Sequence, residues 1–201
     1  MKSERIDQAI EVCRDHLQVS GAFGTEIEAF LTRYLLLLIY AVFEESIKAT
    51  ISDRSKIYND PDLYQFTNSC VNKICRSIMI SEVSGLLGRF NSSYKEAFQQ
   101  KLTGNELLVT AYNNIVQNRH MTAHSSGSNM TFLELVDAYQ KAKAIIDYAT
   151  EVIAQETLSI KQQIDRVLQE KDKELTDLKR ELEAITKFII MEKEEILEKP
   201  G

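Results

Sequence analysis

The chain has 201 residues, of which 44% are hydrophobic and 27% charged, and its formal net charge is −6. This length fits one domain of ordinary size with an appendage, and the apolar content suffices for a buried core. The negative charge argues against a protein that coats nucleic acid electrostatically, but it is compatible with a nuclease that has a local basic groove. The three cysteines form no CxxC motif and no secretory signal is evident, which predicts a cytoplasmic protein.

The apolar residues recur at helical spacing, and only two prolines and seven glycines interrupt them. This pattern predicts an all-α protein. A first helix is expected over residues 3–18, with one buried face. Thr25 and Glu28 then form a T-x-x-E capping pattern, which predicts a long second helix over residues 26–51.

The middle of this second helix, residues 34–43, is apolar on every side. A membrane span needs about 20 such residues, so we predict no membrane association. The segment is expected at the centre of the bundle, or between two bundles in a dimer. Glu44 follows Tyr40 by one turn. A carboxylate at this position either orients an active-site histidine or arginine, or marks where the helix emerges into water.

Asp60 and Pro61 predict the N-cap and first position of a third helix. The apolar spacing carries this helix through Phe66, Cys70, Ile74 and Ile78. A later aromatic stripe, in which Phe90, Tyr94 and Phe98 are each four residues apart, is predicted to belong to the core. Bases stack on aromatic rings that face solvent, and these rings have apolar partners to meet.

Residues 73–101 contain five cations and two carboxylates, a local excess of three positive charges in an acidic chain. Arg89 and Lys95 are the candidate RNA-binding residues within this segment. The same count also fits a solvated helix face, which is the commoner origin of such a pattern.

Thr103 and Glu106 repeat the capping pattern before a helix that ends with the segment Asn118–His124. This segment places Arg119 beside two of the three histidines of the chain, His120 and His124, ahead of a polar loop. Arginine offers a planar fork of donors to phosphate oxygens, and histidine takes and gives a proton near neutral pH. The combination suits attack on a phosphodiester.

Two other interpretations of this segment remain. Cations often occupy the last turn of a helix because they interact favourably with its negative end, by about 0.3–1 kcal/mol. His120 and His124 are also four residues apart, which is the spacing of a two-histidine metal pair. Position 121 is Met rather than Glu and no third ligand follows nearby, so we predict neither a metal nor a cofactor.

Thr131 and Glu134 form the last capping pattern, before an amphipathic helix that reaches about residue 153. A heptad pattern follows, with Lys171 and Glu192 as polar interruptions; its apolar members are Ile164, Leu168, Leu175, Leu178, Leu182, Ile185, Ile189 and Ile196. This predicts a coiled-coil helix over residues 155–201, after a helical bundle over residues 1–154. Its partner is a second protomer, a groove on the bundle, or another protein.

The order of these features resembles the HEPN superfamily, in particular its RiboL-PSP-HEPN branch, over about residues 25–150. The matching residues are Phe43-Glu44, Gly88-Arg89-Phe90 with Tyr94 and Phe98, Leu107-Leu108 through His124, and the closing helix over 131–148. The family signature is R-x4-6-H. Arg119 and His124 satisfy it, and His120 occupies the polar position after the arginine, where the family often has Asn.

The resemblance implies an all-α HEPN bundle that acts as a metal-independent endoribonuclease, in which two protomers bring their motifs to one cleft. Arg119 and His124 are then the catalytic residues, supported by His120, Asn118 and Glu44. Many family members are toxins or phage-defence effectors, which implies RNA as substrate and a cognate antitoxin as a partner. On an ideal helix Arg119 and His124 lie about 140° apart, so the helix must loosen there or the cleft must be wide.

Two other functions are compatible with the same residues. One is a non-catalytic HEPN-like module that binds RNA or a protein partner and dimerises through the coiled coil. The other is a coiled-coil adaptor in which the bundle is a dimerisation domain.

Overall fold

The structure is a computed structural model that describes residues 3–75, 77–123 and 130–197, without the side chains of residues 123, 155–158 and 188–197. The regular structure of these residues is helical and contains no strand, which confirms the predicted all-α class. The helices are α1 (Ser3–Ser20), α2 (Glu26–Arg54), α3 (Pro61–Ile74), α4 (Ile80–Phe90), α5 (Ser92–Leu102), α6 (Glu106–Ala123) and α7 (Phe132–Leu197). A short 3₁₀ helix, Ser55–Tyr58, follows α2 directly.

The chain divides into two compact units, Met1–Thr157 and Leu158–Gly201, which we call the head and the tail. The division falls within α7. None of the described helices combines the length and the apolar character needed to cross a membrane.

Helix α2 organises the core of the head, and α1, α3 and α6 all pack against it. Its residue Phe43 is fully buried between aromatic side chains of two other helices. The Phe43 ring stacks on Tyr112 of α6 with centroids 5.9 Å apart, and it meets Tyr139 of α7 at 6.2 Å. Offset aromatic pairs of this kind add about 0.5–1.5 kcal/mol to the burial of their area. They fix the position of α6, the helix that carries the candidate motif.

One face of α2 remains exposed in the single chain. Ile27, Phe30, Tyr34 and Leu37 lie on it and keep 48%, 68%, 52% and 46% of their side-chain surface. Tyr34 and Leu37 therefore do not lie at the centre of this bundle, which was one of the two expectations for residues 34–43. The other, burial between two bundles in a dimer, stays a prediction.

Helix α3 ends four residues before the predicted position. Asp60 caps it as expected, because its Oδ1 accepts hydrogen bonds from the N–H groups of Asp62 and Leu63, both at 3.0 Å. The backbone leaves the helix at Cys75, with φ −82° and ψ 80°. Ile78 is fully buried in the connection to α4, where its carbonyl accepts a hydrogen bond from the Tyr112 hydroxyl at 2.6 Å. Apolar spacing alone does not distinguish this anchored connection from another helical turn.

The aromatic stripe of α4 and α5 is only partly in the core. Tyr94 and Phe98 are buried, as predicted, but Phe90 is the last residue of α4 and is 41% exposed. The Arg54 guanidinium lies 4.9 Å from the Tyr94 ring centroid and 5.7 Å from that of Phe90. These rings therefore hold the end of α2 and do not form a free stacking surface.

The capping pattern at the start of α7 forms in full. The Thr131 hydroxyl accepts a hydrogen bond from the N–H of Glu134 at 3.3 Å, and the Thr131 N–H donates to the Glu134 carboxylate at 2.8 Å. The pattern before α6 does not form in this way. Thr103 is the C-cap of α5, and α6 begins only at Glu106, whose carboxylate accepts from the Gly104 N–H at 3.3 Å.

Glu28 does more than cap α2. Thr25 caps this helix through its hydroxyl, which accepts from the Ile27 N–H at 3.2 Å. The buried Glu28 carboxylate accepts from the Gly24 N–H at 2.6 Å and from the Phe132 N–H at 2.9 Å. Glu28 therefore joins the start of α2 to the start of α7, the helix that follows the candidate motif in the chain.

Candidate active site at the end of helix α6

The candidate motif lies on the last turns of α6, whose inner face carries Tyr112, Ile115 and Val116, all fully buried. Arg119 follows Tyr112 by seven residues, or about two helical turns, and so lies on this same face. An arginine here points toward α2 rather than into bulk solvent. It is only partly buried, because the buried part of the helix ends at this level.

Arg119 packs on an aromatic ring of α2. Its guanidinium carbon lies 4.5 Å from the centroid of the Tyr40 ring, and Tyr40 is only 4% exposed. A cation over an aromatic face is attracted by the ring quadrupole, by about 0.5–1 kcal/mol at exposed sites and about 2 kcal/mol when desolvated. This contact holds the guanidinium in place and uses none of its N–H donors. Among the described residues, none is seen to accept a hydrogen bond from these donors, so they can meet the oxygens of an anion.

His120 meets the same ring from another side. The His120 and Tyr40 ring centroids are 6.2 Å apart, and the ring planes cross at 71° in an edge-to-face arrangement. One buried tyrosine thus positions two neighbouring motif side chains. This role of Tyr40 is not apparent from the sequence. The available signal was a tyrosine within a Leu-rich run, one turn before Glu44.

The electrostatics around Tyr40 keep its hydroxyl neutral. Burial raises the pKa of Tyr40, the positive charge of Arg119 opposes this effect, and Glu44 adds to it. Burial likewise raises the pKa of the Cys75 thiol. Neither group ionises readily near neutral pH. Arg119 therefore lies over an uncharged ring, and Cys75 is a poor candidate for a nucleophile.

Glu44 lies one turn after Tyr40 but pairs with another residue. Its carboxylate forms an ion pair with Lys48, and both side chains are partly exposed. It borders a groove of about 410 Å³ between α2 and α3, where Asn68 and Asn72 face it. The contact that the structure shows for Glu44 is thus with Lys48, and not with Arg119 or His120.

Asn118 faces a different groove from Arg119. Its side chain donates a hydrogen bond to the Asn114 carbonyl at 2.9 Å, and its own carbonyl accepts one from the Thr122 hydroxyl at 2.8 Å. With Asn114 and Glu134 it borders a groove of about 450 Å³ between α6 and α7. The turn of about 100° between adjacent helical residues separates this groove from Tyr40.

The two candidate RNA-binding cations lie on α4 and α5, and both are exposed. Arg89 borders a small cavity of about 40 Å³ that Cys75 and Glu82 also line. Lys95 lies along Gly88, where an added Cβ would come within 3.2 Å of the Lys95 Cδ. Arg89 therefore approaches the segment beside Tyr40, whereas the contact of Lys95 is with the end of α4.

His124 and the predicted polar loop over 125–129 lie outside the described residues. The described part of the chain contains no group of three or more His, Cys, Asp or Glu side chains arranged to hold a metal ion. The two-histidine zinc alternative includes His124, so the described residues do not test it.

A comparison with protein families matches residues 3–155 to the family described as RiboL-PSP-HEPN. The match extends from α1 to the end of the head and includes the whole candidate motif. Comparisons with curated proteins and with solved structures found no match. Because the family match covers most of the chain, this protein belongs to the RiboL-PSP-HEPN family.

Proposed function

We propose that the head is a metal-independent endoribonuclease in which Arg119 and His124 are the catalytic residues. The observation that carries this proposal is the placement of the Arg119 guanidinium over the Tyr40 ring at 4.5 Å, beside His120. His124 follows Arg119 by five residues in the sequence. The N–H groups of a structural arginine normally donate hydrogen bonds to a carboxylate or to backbone carbonyls. This one is held by a contact that leaves its donor fork for a phosphate.

RNA supplies its own nucleophile, so the chemistry needs only proton transfer and charge stabilisation. His124 removes the proton from the 2′-OH as the 2′-oxygen attacks phosphorus. Arg119 stabilises the negative charge that develops on the phosphorane oxygens. The bond from phosphorus to the 5′-oxygen then breaks, and the partner subunit's His124 gives a proton to this leaving oxygen. The products are a 2′,3′-cyclic phosphate and a 5′-hydroxyl end.

The remaining candidate residues have supporting roles in this proposal. His120, fixed against Tyr40, donates a hydrogen bond to the scissile phosphate or its neighbour. Glu44 and Asn118 border grooves on either side of the motif, which suit the nucleotides that flank the cleaved bond. Arg89 and Lys95 contact more distant phosphates.

The site requires two heads, and the exposed face of α2 is the surface we assign to their contact. Ile27, Phe30, Tyr34 and Leu37 form a continuous apolar stripe along α2, and single chains seldom leave such stripes open to water. Leu37 lies one turn before Tyr40. Pairing through this face brings a second chain close to the motif.

The test uses the full chain and a defined single-stranded RNA, with cleavage products identified by their ends. We expect cleavage that persists in EDTA, ends that carry cyclic phosphate, and loss of cleavage in Arg119→Ala and His124→Ala. Arg5→Ala is the matched control, because Arg5 is an exposed arginine on α1 and lies outside both the candidate site and the face of α2 assigned to the contact between heads. Cleavage that EDTA abolishes and added metal restores would contradict the metal-free mechanism. RNA binding without cleavage would instead assign the head as a binding module.

The cellular role we propose is that of a cytoplasmic toxin or phage-defence effector, held in check by a cognate antitoxin. Expression of the wild-type chain is then expected to arrest growth, whereas His124→Ala at the same level leaves growth unaffected. Sequencing of cellular RNA ends in the two strains identifies the substrate. Equal growth with equal amounts of intact RNA would count against this role.

A further inference from the structure

The tail presents an apolar seam that is exposed along the residues whose side chains the structure describes. Its members recur at alternating steps of three and four residues along the described part of the tail. They are Ile164, Leu168, Leu175, Leu178, Leu182 and Ile185, with exposures of 36%, 58%, 51%, 61%, 65% and 57%. In heptad notation, Leu168, Leu175 and Leu182 occupy position a, and Ile164, Leu178 and Ile185 occupy position d. A seam of this kind is stable in water only when a second helix covers it.

We propose that the tail pairs with the tail of a second copy of this chain, as a parallel, in-register, two-stranded coiled coil. The charges that flank the seam fit a second copy of the same seam. This inference does not depend on RNA cleavage, and it concerns a different surface from the one assigned to the contact between heads.

The flanking charges favour a parallel arrangement. In a parallel pair, position g of one helix faces position e of the next heptad in the other helix. Glu174 at g then faces Lys179 at e of the second copy, and the symmetry of the pair makes this contact twice. In an antiparallel pair, g faces g. The described g positions are Val167, Glu174 and Glu181, so that arrangement brings carboxylates together at g. It also lets Lys179 meet an aspartate at e, but only the parallel arrangement gives attraction without facing carboxylates.

The single charged residue in the described seam favours a fixed register and two strands. Lys171 occupies position d, where it is 68% exposed and pairs with Glu174 of its own helix at 2.7 Å. In an in-register parallel pair, a d side chain lies against position e of the other helix, which here is Asp172. A shift by one heptad places one Lys171 ammonium group against Lys179 of the other copy, although the second Lys171 then meets Asp165. A four-stranded core with leucine at a and isoleucine at d would enclose four ammonium groups at this level.

A parallel pair joins two heads at the same end of the coiled coil. The two heads then meet at an effective concentration in the millimolar range, which is typical for short linkages. Dimerisation of the heads would therefore persist at the low chain concentrations found in cells. This consequence is separate from the pairing itself.

Disulfide trapping in the full chain tests the register directly. Leu178→Cys places a thiol at d, where it meets its own copy only in a parallel, in-register pair. The control is Lys173→Cys, on the outer position f of the preceding heptad. Both variants carry Cys70→Ser, because Cys13 and Cys75 are buried and Cys70 is the native cysteine that is partly accessible. Both replaced tail residues are exposed, so the fold of the head is not disturbed.

We expect mild oxidation to link most of the Leu178→Cys chains, with at least about fivefold more disulfide dimer than in the control, since a d pair lies within disulfide range. Equal trapping at the two positions, or no trapping in the Leu178→Cys variant, would overturn the proposal. A tetramer by light scattering would overturn its two-stranded form.

A charge exchange gives a second readout. Lys179→Glu faces Glu174 of the other copy, and we expect it to lower trapping at residue 178 by about fivefold, the scale of two exposed ion pairs. Adding Glu174→Lys restores opposite charges across the pair and is expected to restore trapping. These two residues are five positions apart and do not face each other on one helix, so recovery reports contact between copies. Failure of the double exchange to recover would contradict the parallel alignment.

Discussion

The contact between Arg119 and Tyr40 gives the sharpest test of how the candidate site is built. Tyr40→Leu removes the ring under the guanidinium, and Arg119→Met removes the cation but keeps a long apolar side chain. With a separation of 4.5 Å, a ring that is 4% exposed and a partly buried cation, the interaction lies between the exposed and desolvated cases. We therefore expect a coupling of about 1 kcal/mol in the free energy of unfolding.

The assay is a double-mutant cycle in chemical denaturation, with wild type, both single variants and the double variant. The cycle removes the cost of the cavity left by Tyr40→Leu, because that cost appears in two of the four chains. Arg33→Met is the control. Arg33 is exposed and lies seven residues before Tyr40, about 10 Å along α2, so its cycle with Tyr40→Leu should be additive. A coupling below about 0.3 kcal/mol for Arg119 would refute the contact, since independent sites scatter by this much.

The dependence of this coupling on pH separates a neutral ring from an ion pair. Burial raises the pKa of Tyr40 above its ordinary value of 10.0, so the ring is uncharged throughout the neutral range. The coupling should then be equal at about pH 6 and about pH 9, because the guanidinium keeps its charge at both. A coupling that grows toward pH 9 would mean that a phenolate carries it. If the head cleaves RNA as proposed, Tyr40→Leu should also lower kcat/KM by about fivefold, the equivalent of 1 kcal/mol, while Tyr40→Phe stays near wild type.

Three further predictions concern the stability of the head. Hydrogen bonds from the backbone and hydroxyl of Thr131 lower the pKa of Glu134, so this carboxylate stabilises the fold above the ordinary Glu pKa, and the effect is lost as pH falls through its lower folded pKa. Thermal melts of Glu134→Gln should differ from wild type at neutral pH, and the difference should shrink as the pH falls below the ordinary Glu pKa of about 4.3. Glu28→Ala should lower the free energy of unfolding by about 1–3 kcal/mol, because it leaves the buried Phe132 N–H without an acceptor. Glu28→Gln should lower it less. A chain that ends after Ala154 should melt cooperatively, whereas removing Val152–Ile153 as well should lower the melting temperature, because both side chains are buried.

The helical class and most helix starts follow from local chemistry, which explains why they are predictable. Asp60 next to Pro61, and Thr131 three residues before Glu134, are short-range arrangements whose partners lie within one turn. The end of α3 depends on a different kind of information. The spacing from Phe66 to Ile78 suggests one more helical turn, but the backbone turns away at Cys75 because Tyr112, distant in the chain, binds the Ile78 carbonyl.

Part of the candidate site is likewise predictable from the local sequence, and part depends on contacts between distant residues. Arg119 and His120 are visible in the sequence because their residue types and spacing are unusual on a helix end. Tyr40 is not visible, because its role exists only once α6 has packed on α2, and within its own helix it looks like one more apolar residue. The sequence leaves the surroundings of Tyr34 and Leu37 open for a related reason. Hydrophobicity on every side of a helix predicts that all sides are covered, but it does not say which chain covers them.

Glu28 shows why even a correct local pattern leaves part of the structure open. The T-x-x-E pattern assigns its carboxylate to the start of its own helix, and one oxygen does bind there, at the Gly24 N–H. The first N–H groups of every helix lack partners, however, and the first N–H of α7 belongs to Phe132, which is fully buried and out of reach of water. The Thr131 and Glu134 pair serves other donors, so this N–H needs an acceptor from elsewhere in the fold. The second Glu28 oxygen supplies it across 104 residues of chain. A buried N–H group without a local acceptor can therefore bind a carboxylate that the sequence pattern assigns to a different helix start. For this reason the start of α7 depends on Glu28, a residue of α2.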